Sequence, residues 1–206
     1  MSPDQSLSLQ QAIDSLYDIA VIQHKVTSTI RLQRLAEYCV QELARRGLIS
    51  AEREATIPGG GRPKQWDVAW KYHEKYRLAI SLKSILRSLV GTVPNRVDDL
   101  MGEVTNIQMY SPEVVVGYLM VFDVSQDAPT RQGGTWCDIL SQRLSRLSGR
   151  KAPAWSVGTI ESFAIIRVDF SSGPRLLTFA SDVSRLFDEL VHETRERNPS
   201  LLLRDT

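Results

Sequence analysis

Apolar residues recur at helical spacing in the first part of the chain and then switch to strand-like runs. Leu9, Ile13, Leu16, Ile19, Ala20 and Gln23 lie near a helical period behind Ser8, a candidate N-cap, and predict a helix from Leu9 to about His24. A second helix is predicted over Ser28 to Arg46, with Leu32, Leu35, Cys39 and Leu43 on one stripe and Gly47 as its stop. The period then changes. Residues 49–57 suit a strand, and Pro58-Gly-Gly-Gly-Arg-Pro63 reads as a flexible basic loop. Gln65 to Tyr72 and Arg77 to Ser84 read as two strands joined by a short turn at His73-Glu-Lys75. Residues 85–95 are irregular, and Arg96 to Tyr110 carries a helical stripe of Val97, Leu100, Met101, Val104 and Ile107.

Beyond Pro112, Val114 to Val124 is almost wholly apolar, as a central strand covered on both faces reads. Trp136 to Leu147 predicts a helix and Phe163 to Phe170 a strand. A short strand fits Leu176 to Phe179, and a last helix capped at Ser181-Asp182 runs to about Arg197. The order is that of an α/β domain: a mixed central sheet of four to six strands flanked by helices, in one domain over residues 1–206, with 1–28 as an N-terminal helical extension.

Composition narrows the function classes. The 206 residues are 42% hydrophobic and 24% charged, which is globular rather than disordered. With Lys and Arg at 25 against Asp and Glu at 24, the chain is neither a basic carpet nor an acidic tail, but arginines gathered on one face could still bind DNA. Cys39 and Cys137 stand far apart, which excludes a disulfide scaffold and a cysteine-rich zinc module. With three histidines, no histidine metal cluster is expected. No apolar run approaches the roughly 18 residues of a membrane span, and Met1-Ser-Pro-Asp-Gln5 lacks a secretory pattern, so a cytoplasmic protein is expected.

The candidate chemistry lies in Trp66-Asp67-Val68 and Ile80-Ser81-Leu82-Lys83. A hairpin turning about Glu74 sets Asp67 opposite Ser81, with Lys83 diagonal to it on the same sheet face, while Val68 and Leu82 point into a core. Asp and Lys are rarely half-buried without a partner or a task. A carboxylate that holds Mg2+, beside a lysine that orients water, suits phosphodiester hydrolysis. A hard cation calls for a second carboxylate, and the next helix carries Asp98, Asp99 and Glu103. Taken alone, Asp67 and Lys83 also make an ordinary cross-strand ion pair worth up to ~1 kcal/mol. Acids at a helix start favour the macrodipole whatever else they do.

Asp67, a hairpin and then x-Lys83 in an apolar strand resembles the PD-(D/E)xK nuclease superfamily, in particular the small type II restriction endonucleases. Gly60-Gly-Arg-Pro-Lys-Gln-Trp-Asp67 is similar to the basic, glycine-rich lead-in to the first acid in some of these enzymes. Asn95-Arg-Val-Asp-Asp99 is similar to the opening of their next helix, and Val114 to Asp123 to their following core strand. The likeness spans roughly residues 30–125, a little under half of the chain. Where the family usually has Asp or Glu two residues before the lysine, this chain has Ser81. A minority subgroup carries Ser there and draws the second carboxylate from the next helix.

The resemblance implies a restriction-endonuclease-like fold and a Mg2+-dependent endonuclease on double-stranded DNA, with no organic cofactor. Asp67 and one of Asp98 or Asp99 are expected to bind the metal, with Glu103 behind them. Lys83 is expected to position the attacking water and Ser81 to hydrogen-bond a ligand. Arg62, Lys64, Arg87, Asn95, Arg96, Arg143, Arg146, Arg150 and Lys151 are candidate DNA contacts, and the loops 125–135 and 148–160 candidates for base reading. A homodimer acting on a palindrome is implied, with the N-terminal helices as its candidate interface. Glu42 reads as a solvated rim residue of the second helix rather than an extra ligand, and Trp136 and Trp155 as packing residues. The alternatives are a nuclease subunit of a multi-component defence or repair system, and a DNA-binding subunit whose catalytic site has decayed.

Overall fold

The computed structural model describes residues 6–26, 28–131 and 133–200. They form an α/β domain in three layers: a six-stranded mixed sheet with helices on both faces. The N-terminal layer holds α1 (Leu9–Tyr17) and α2 (Gln33–Arg45). Then come β1 (Glu52–Ile57), β2 (Lys64–Tyr72), β3 (Lys75–Ile85), α3 (Leu89–Tyr110), β4 (Val115–Asp123), α4 (Trp136–Leu147), β5 (Ser162–Asp169), β6 (Arg175–Leu176) and α5 (Ala180–Glu196). Spatial strand order follows the sequence. β1, β2 and β3 are antiparallel, β3, β4 and β5 are parallel, and β6 pairs antiparallel at the far edge.

Strand alternation divides the core. Leu78, Ile80 and Leu82 of β3, with Val115, Leu119 and Val121 of β4, pack under α1, α2 and α5. Ala79 and Ile85, with Val116, Tyr118, Met120 and Phe122, pack under α3 and α4. β4 is buried along its whole length, as a strand covered on both faces must be.

Several boundaries differ from the sequence expectation. α1 has the expected cap at Ser8, completed as a capping box by Gln11, but passes at Asp18–Ile22 into a π-helical turn. α2 is preceded by a 3-10 turn over Thr29–Leu32 and ends as expected at Gly47, whose backbone is left-handed at φ 90°. α3 begins at Leu89 rather than Arg96. Leu89 and Val93 extend its buried stripe, and that packing outweighs Gly91 and Pro94, the latter forfeiting one backbone bond near the helix start. Asn95 and Arg96 therefore lie within the second and third turns of α3 instead of opening it. α5 is capped at Phe179, not at Ser181-Asp182.

The N-terminal helix is built into the core. Leu9, Ala12, Ile13 and Leu16 are buried against α2, so the apolar face of α1 is not available to a second subunit. Among the described residues no helix is long and apolar enough to cross a membrane.

A buried ionic cluster closes the end where β4 and β5 begin. Glu161 is fully buried between Arg150 at 3.0 Å and Arg197 at 2.6 Å. Arg150 also donates to the carbonyl of Pro112, and both arginines donate to that of Val114. Trp155 lies beneath the two guanidinium groups, 5.4 and 4.3 Å from its ring. Arg150 is therefore a structural residue and not a DNA contact, because its charge and donors are committed inside the fold. Removing one partner from a buried ion cluster leaves charges uncompensated. The Glu161→Ala substitution is expected to lower the unfolding free energy by about 3–5 kcal/mol, measured by urea denaturation.

Candidate functional site

Asp67 sits where β2 loses regular pairing on both sides. The β2–β3 ladder ends at Val68↔Ile80, and beyond it the Asp67 carboxylate, not the β2 backbone, accepts the Leu82 N–H at 2.7 Å. On the other edge the register places Glu54 opposite Asp67, and Glu54 holds a left-handed backbone at φ 56°. Trp66 packs with the α3-side core and Val68 with the other, so the regular alternation breaks at Asp67. The hairpin ends in a two-residue turn, His73-Glu74, with both residues at positive φ, and a bulge at Trp70/Lys71 absorbs the register change. Toward the ladder's end the pairing is nonetheless the expected one, and Ser81 and Lys83 share the α3 face.

The second carboxylate is Glu103. Its Oε2 accepts a hydrogen bond from Ser81 Oγ at 3.1 Å, and its Oε1 lies 3.3 Å from Lys83 Nζ and 2.6 Å from Lys64 Nζ. Asp98 and Asp99, the expected ligands, do not fill this place. Both are exposed, and Asp99 pairs with Arg96 at 3.1 Å. The reason is the earlier start of α3. Asp98 and Asp99 fall a turn short of Ser81, whereas Glu103, one turn after Asp99 on the same stripe, reaches it. Lys83 pairs with Glu103 rather than with Asp67, so the plain cross-strand ion pair is not what forms.

The two carboxylates differ electrostatically. Burial raises the Asp67 pKa, and the nearby Glu103 charge adds to the rise, against the Leu82 N–H and Lys83. Burial also pushes Glu103 upward, but Lys83, Lys64 and the Ser81 hydroxyl outweigh it and hold Glu103 below the ordinary carboxylate range. Tyr118, paired with Ser81 in the sheet, carries a buried hydroxyl that has no hydrogen-bond partner, close to Glu103 and Asp67. Burial raises its pKa, so it remains a protonated donor.

Arg31 completes the site from a segment the motif does not cover. Its Nε donates to Ser84 Oγ at 3.2 Å, and its Nη1 to the Ser28 carbonyl. Burial and the neighbouring Arg96 lower its pKa, while the Asp67 charge opposes them. No short-range signal marks Arg31, because it lies in the 3-10 turn before α2 and reaches Ser84 of β3 only through tertiary packing.

The glycine-rich lead-in is clamped onto α3. Asn106 Oδ1 accepts the N–H groups of Gly61 and Arg62 at 2.9 and 3.3 Å, and its amide donates to the Arg62 carbonyl at 2.9 Å. A Cβ at Gly59 would stand 2.0 Å from Asn106 Nδ2, so glycine is required for this approach. The clamp leaves the Arg62 side chain exposed and delivers Lys64 to Glu103. Arg87 and Asn95 are exposed near the start of α3, Arg143 is half-buried on α4, and Arg146 and Lys151 are exposed. The 125–135 segment leaves the carboxyl end of β4. The 148–160 segment is tied to the last turns of α3, with Gln108 bonded to Gly158 N and the Thr159 carbonyl. Glu42 is buried between Arg45 and Arg46, not solvated, and stands outside the site.

Asp67 and Glu103 offer hard oxygen donors suited to Mg2+, which keeps most of its waters and needs one or two carboxylates. Among the described residues no group of three or more His, Cys, Asp or Glu stands together.

The opposite shifts give opposite pH behaviour. A raised carboxylate pKa favours the folded protein as pH falls. A depressed one contributes stability above the ordinary carboxylate range and loses it as pH falls through the folded value. At pH 7, Asp67→Asn is therefore expected to keep or raise the melting temperature, since Asn can still accept the Leu82 N–H. Glu103→Gln is expected to lower it, by an amount that shrinks toward pH 4. Thermal melts of both variants across this range check the pair of signs. No family model, curated protein or solved structure matches this chain, so the geometry of Asp67, Glu103 and Lys83 carries its functional reading.

Proposed function

We propose that the chain is a Mg2+-dependent endonuclease of the PD-(D/E)xK type, with a restriction-endonuclease-like fold, that cleaves double-stranded DNA as a type II restriction enzyme. The observation that supports this most is the meeting of Asp67, Glu103 and Lys83 at a half-buried point of the sheet where the β2–β3 ladder opens. Asp67 and Glu103 are the residues that would hold the cation. A bound Mg2+ would supply charge neutralisation at the phosphate and a more acidic water.

The chain's own groups account for the rest. Lys83, fixed on β3 by its pairing with β4 and set beside Glu103, orients the attacking water and offsets negative charge as the phosphate is attacked. Ser81 occupies the place where the resembled family has an acid. Here it donates to Glu103 and thereby sets the helix carboxylate where a strand carboxylate would otherwise stand. Arg31, Arg62 and Arg96 supply positive charge for DNA phosphates around the site. Residues 125–135 are the nearer candidates for base contacts, because they leave the carboxyl end of the central strand. A homodimer, if formed on a palindrome, has to use a surface other than the apolar face of α1.

The test is digestion of unmethylated phage DNA by the purified chain with Mg2+, followed by end mapping. Discrete fragments are expected. Cleavage only with added partner proteins would favour a multi-component system, and DNA binding without cleavage a decayed site. The Lys83→Ala variant is expected to bind DNA like the wild type while cleaving about 10²–10⁴-fold more slowly. Undiminished cleavage by that variant overturns the assignment.

A further inference from the structure

We propose that Lys64 is a counter-ion latch: its ammonium holds the place of a divalent cation at Glu103 and has to leave before that carboxylate can serve a cation. The inference rests on the nuclease reading of the site and adds a regulatory residue to it.

The geometry is direct. Glu103 Oε1 receives two ammonium groups, Lys64 at 2.6 Å and Lys83 at 3.3 Å, and Oε2 receives the Ser81 hydroxyl at 3.1 Å. Both oxygens are thus occupied by the chain's own donors. Charge points the same way. One carboxylate, Glu103, is faced by two ammonium groups, Lys64 and Lys83. Glu103 is thus surrounded by surplus positive charge before any ion arrives, and a dication is repelled from this carboxylate unless one ammonium withdraws.

Lys64 is the one placed to withdraw. Lys83 stands on β3, hydrogen-bonded to β4 along its length, and its side chain is 21% exposed. Lys64 is the first residue of β2, at the end of the glycine-rich segment, and its side chain is 30% exposed. Its backbone is kept beside α3 by the Asn106 clamp on the preceding loop, so its flexible stem can swing while its origin stays fixed. The nearest use for the freed ammonium is a DNA phosphate, beside the exposed Arg62. Lys64 would then exchange a carboxylate for a phosphate, so that DNA promotes cation binding and, by linkage, the cation promotes DNA binding.

The test is Mn2+ binding to the full chain without DNA, by calorimetry and by the Mn2+-dependent shift in melting temperature. Lys64→Met and Lys64→Gln are expected to bind Mn2+ roughly tenfold more tightly than the wild type, because one unit of positive charge is gone beside the carboxylate. Lys64→Arg is expected to bind as weakly as the wild type. Lys75→Met, which removes a charge at the remote hairpin turn, is expected to change nothing. The Gln variant keeps a donor to Glu103 and so covers the case in which Met destabilises the fold. Equal or weaker Mn2+ binding by both neutral variants overturns the latch. If the latch alone fails, wild-type binding persists, is lost in Asp67→Asn and is unaltered by the Lys64 variants. If the nuclease reading fails, no variant binds Mn2+ and DNA stays uncut, and the latch falls with it.

Discussion

The site depends on one substitution of partners: the Asp67 carboxylate takes the Leu82 N–H that a backbone carbonyl would otherwise accept. A sheet that kept its ladder through this point would have no room for a carboxylate between its strands. The ladder ends one pair earlier, and the left-handed Glu54 relaxes pairing on the other edge of β2. Asp67 is thereby held in a place where burial disfavours its charge, and that unfavourable charge is what makes the position suited to a cation.

Around that point the chain separates two tasks that a pair of like carboxylates could not share. Asp67 is destabilised as an anion, and Glu103 is stabilised as one by Lys64, Lys83 and Ser81. Glu103 is thus preorganised, held in position by three donors, while Asp67 keeps the unmet demand for positive charge. Tyr118 lies beneath both with a buried hydroxyl that makes no hydrogen bond, a further sign that the polar inventory of the site is incomplete. The scaffold for this arrangement is anchored elsewhere, where Glu161 binds Arg150 and Arg197 at the beginning of β4 and β5. The open ladder and the ion-paired anchor lie at different parts of the sheet, so the first need not compromise the second.

The element order, the mixed sheet and the shared face of Ser81 and Lys83 were legible along the chain. Each follows from local periodicity: alternation over 65–72 and 77–84, an unbroken apolar run over 114–124, and a helical stripe from Val97 to Ile107. The helix cap with side-chain chemistry at Ser8 was equally local. The start of α3 was not, because Gly91 and Pro94 argue against a helix while the burial of Leu89 and Val93, which outweighs them, is a tertiary effect. That displacement passed directly into the site, since shifting the helix origin changed which acid came level with Ser81.

Sequence alone determined that Ser81 and Lys83 would share one face of a hairpin strand, because strand period is a short-range property of the backbone. Only the tertiary structure decided that Glu103 and not Asp98 or Asp99 meets Ser81 and Lys83, that Lys64 is bound to that carboxylate, that Arg31 is bonded to Ser84, and that Arg150 is an internal strut. Those outcomes depend on distances between elements far apart in the chain. Side chains of one charge type look alike in a sequence until packing sets which of them is buried and what it meets.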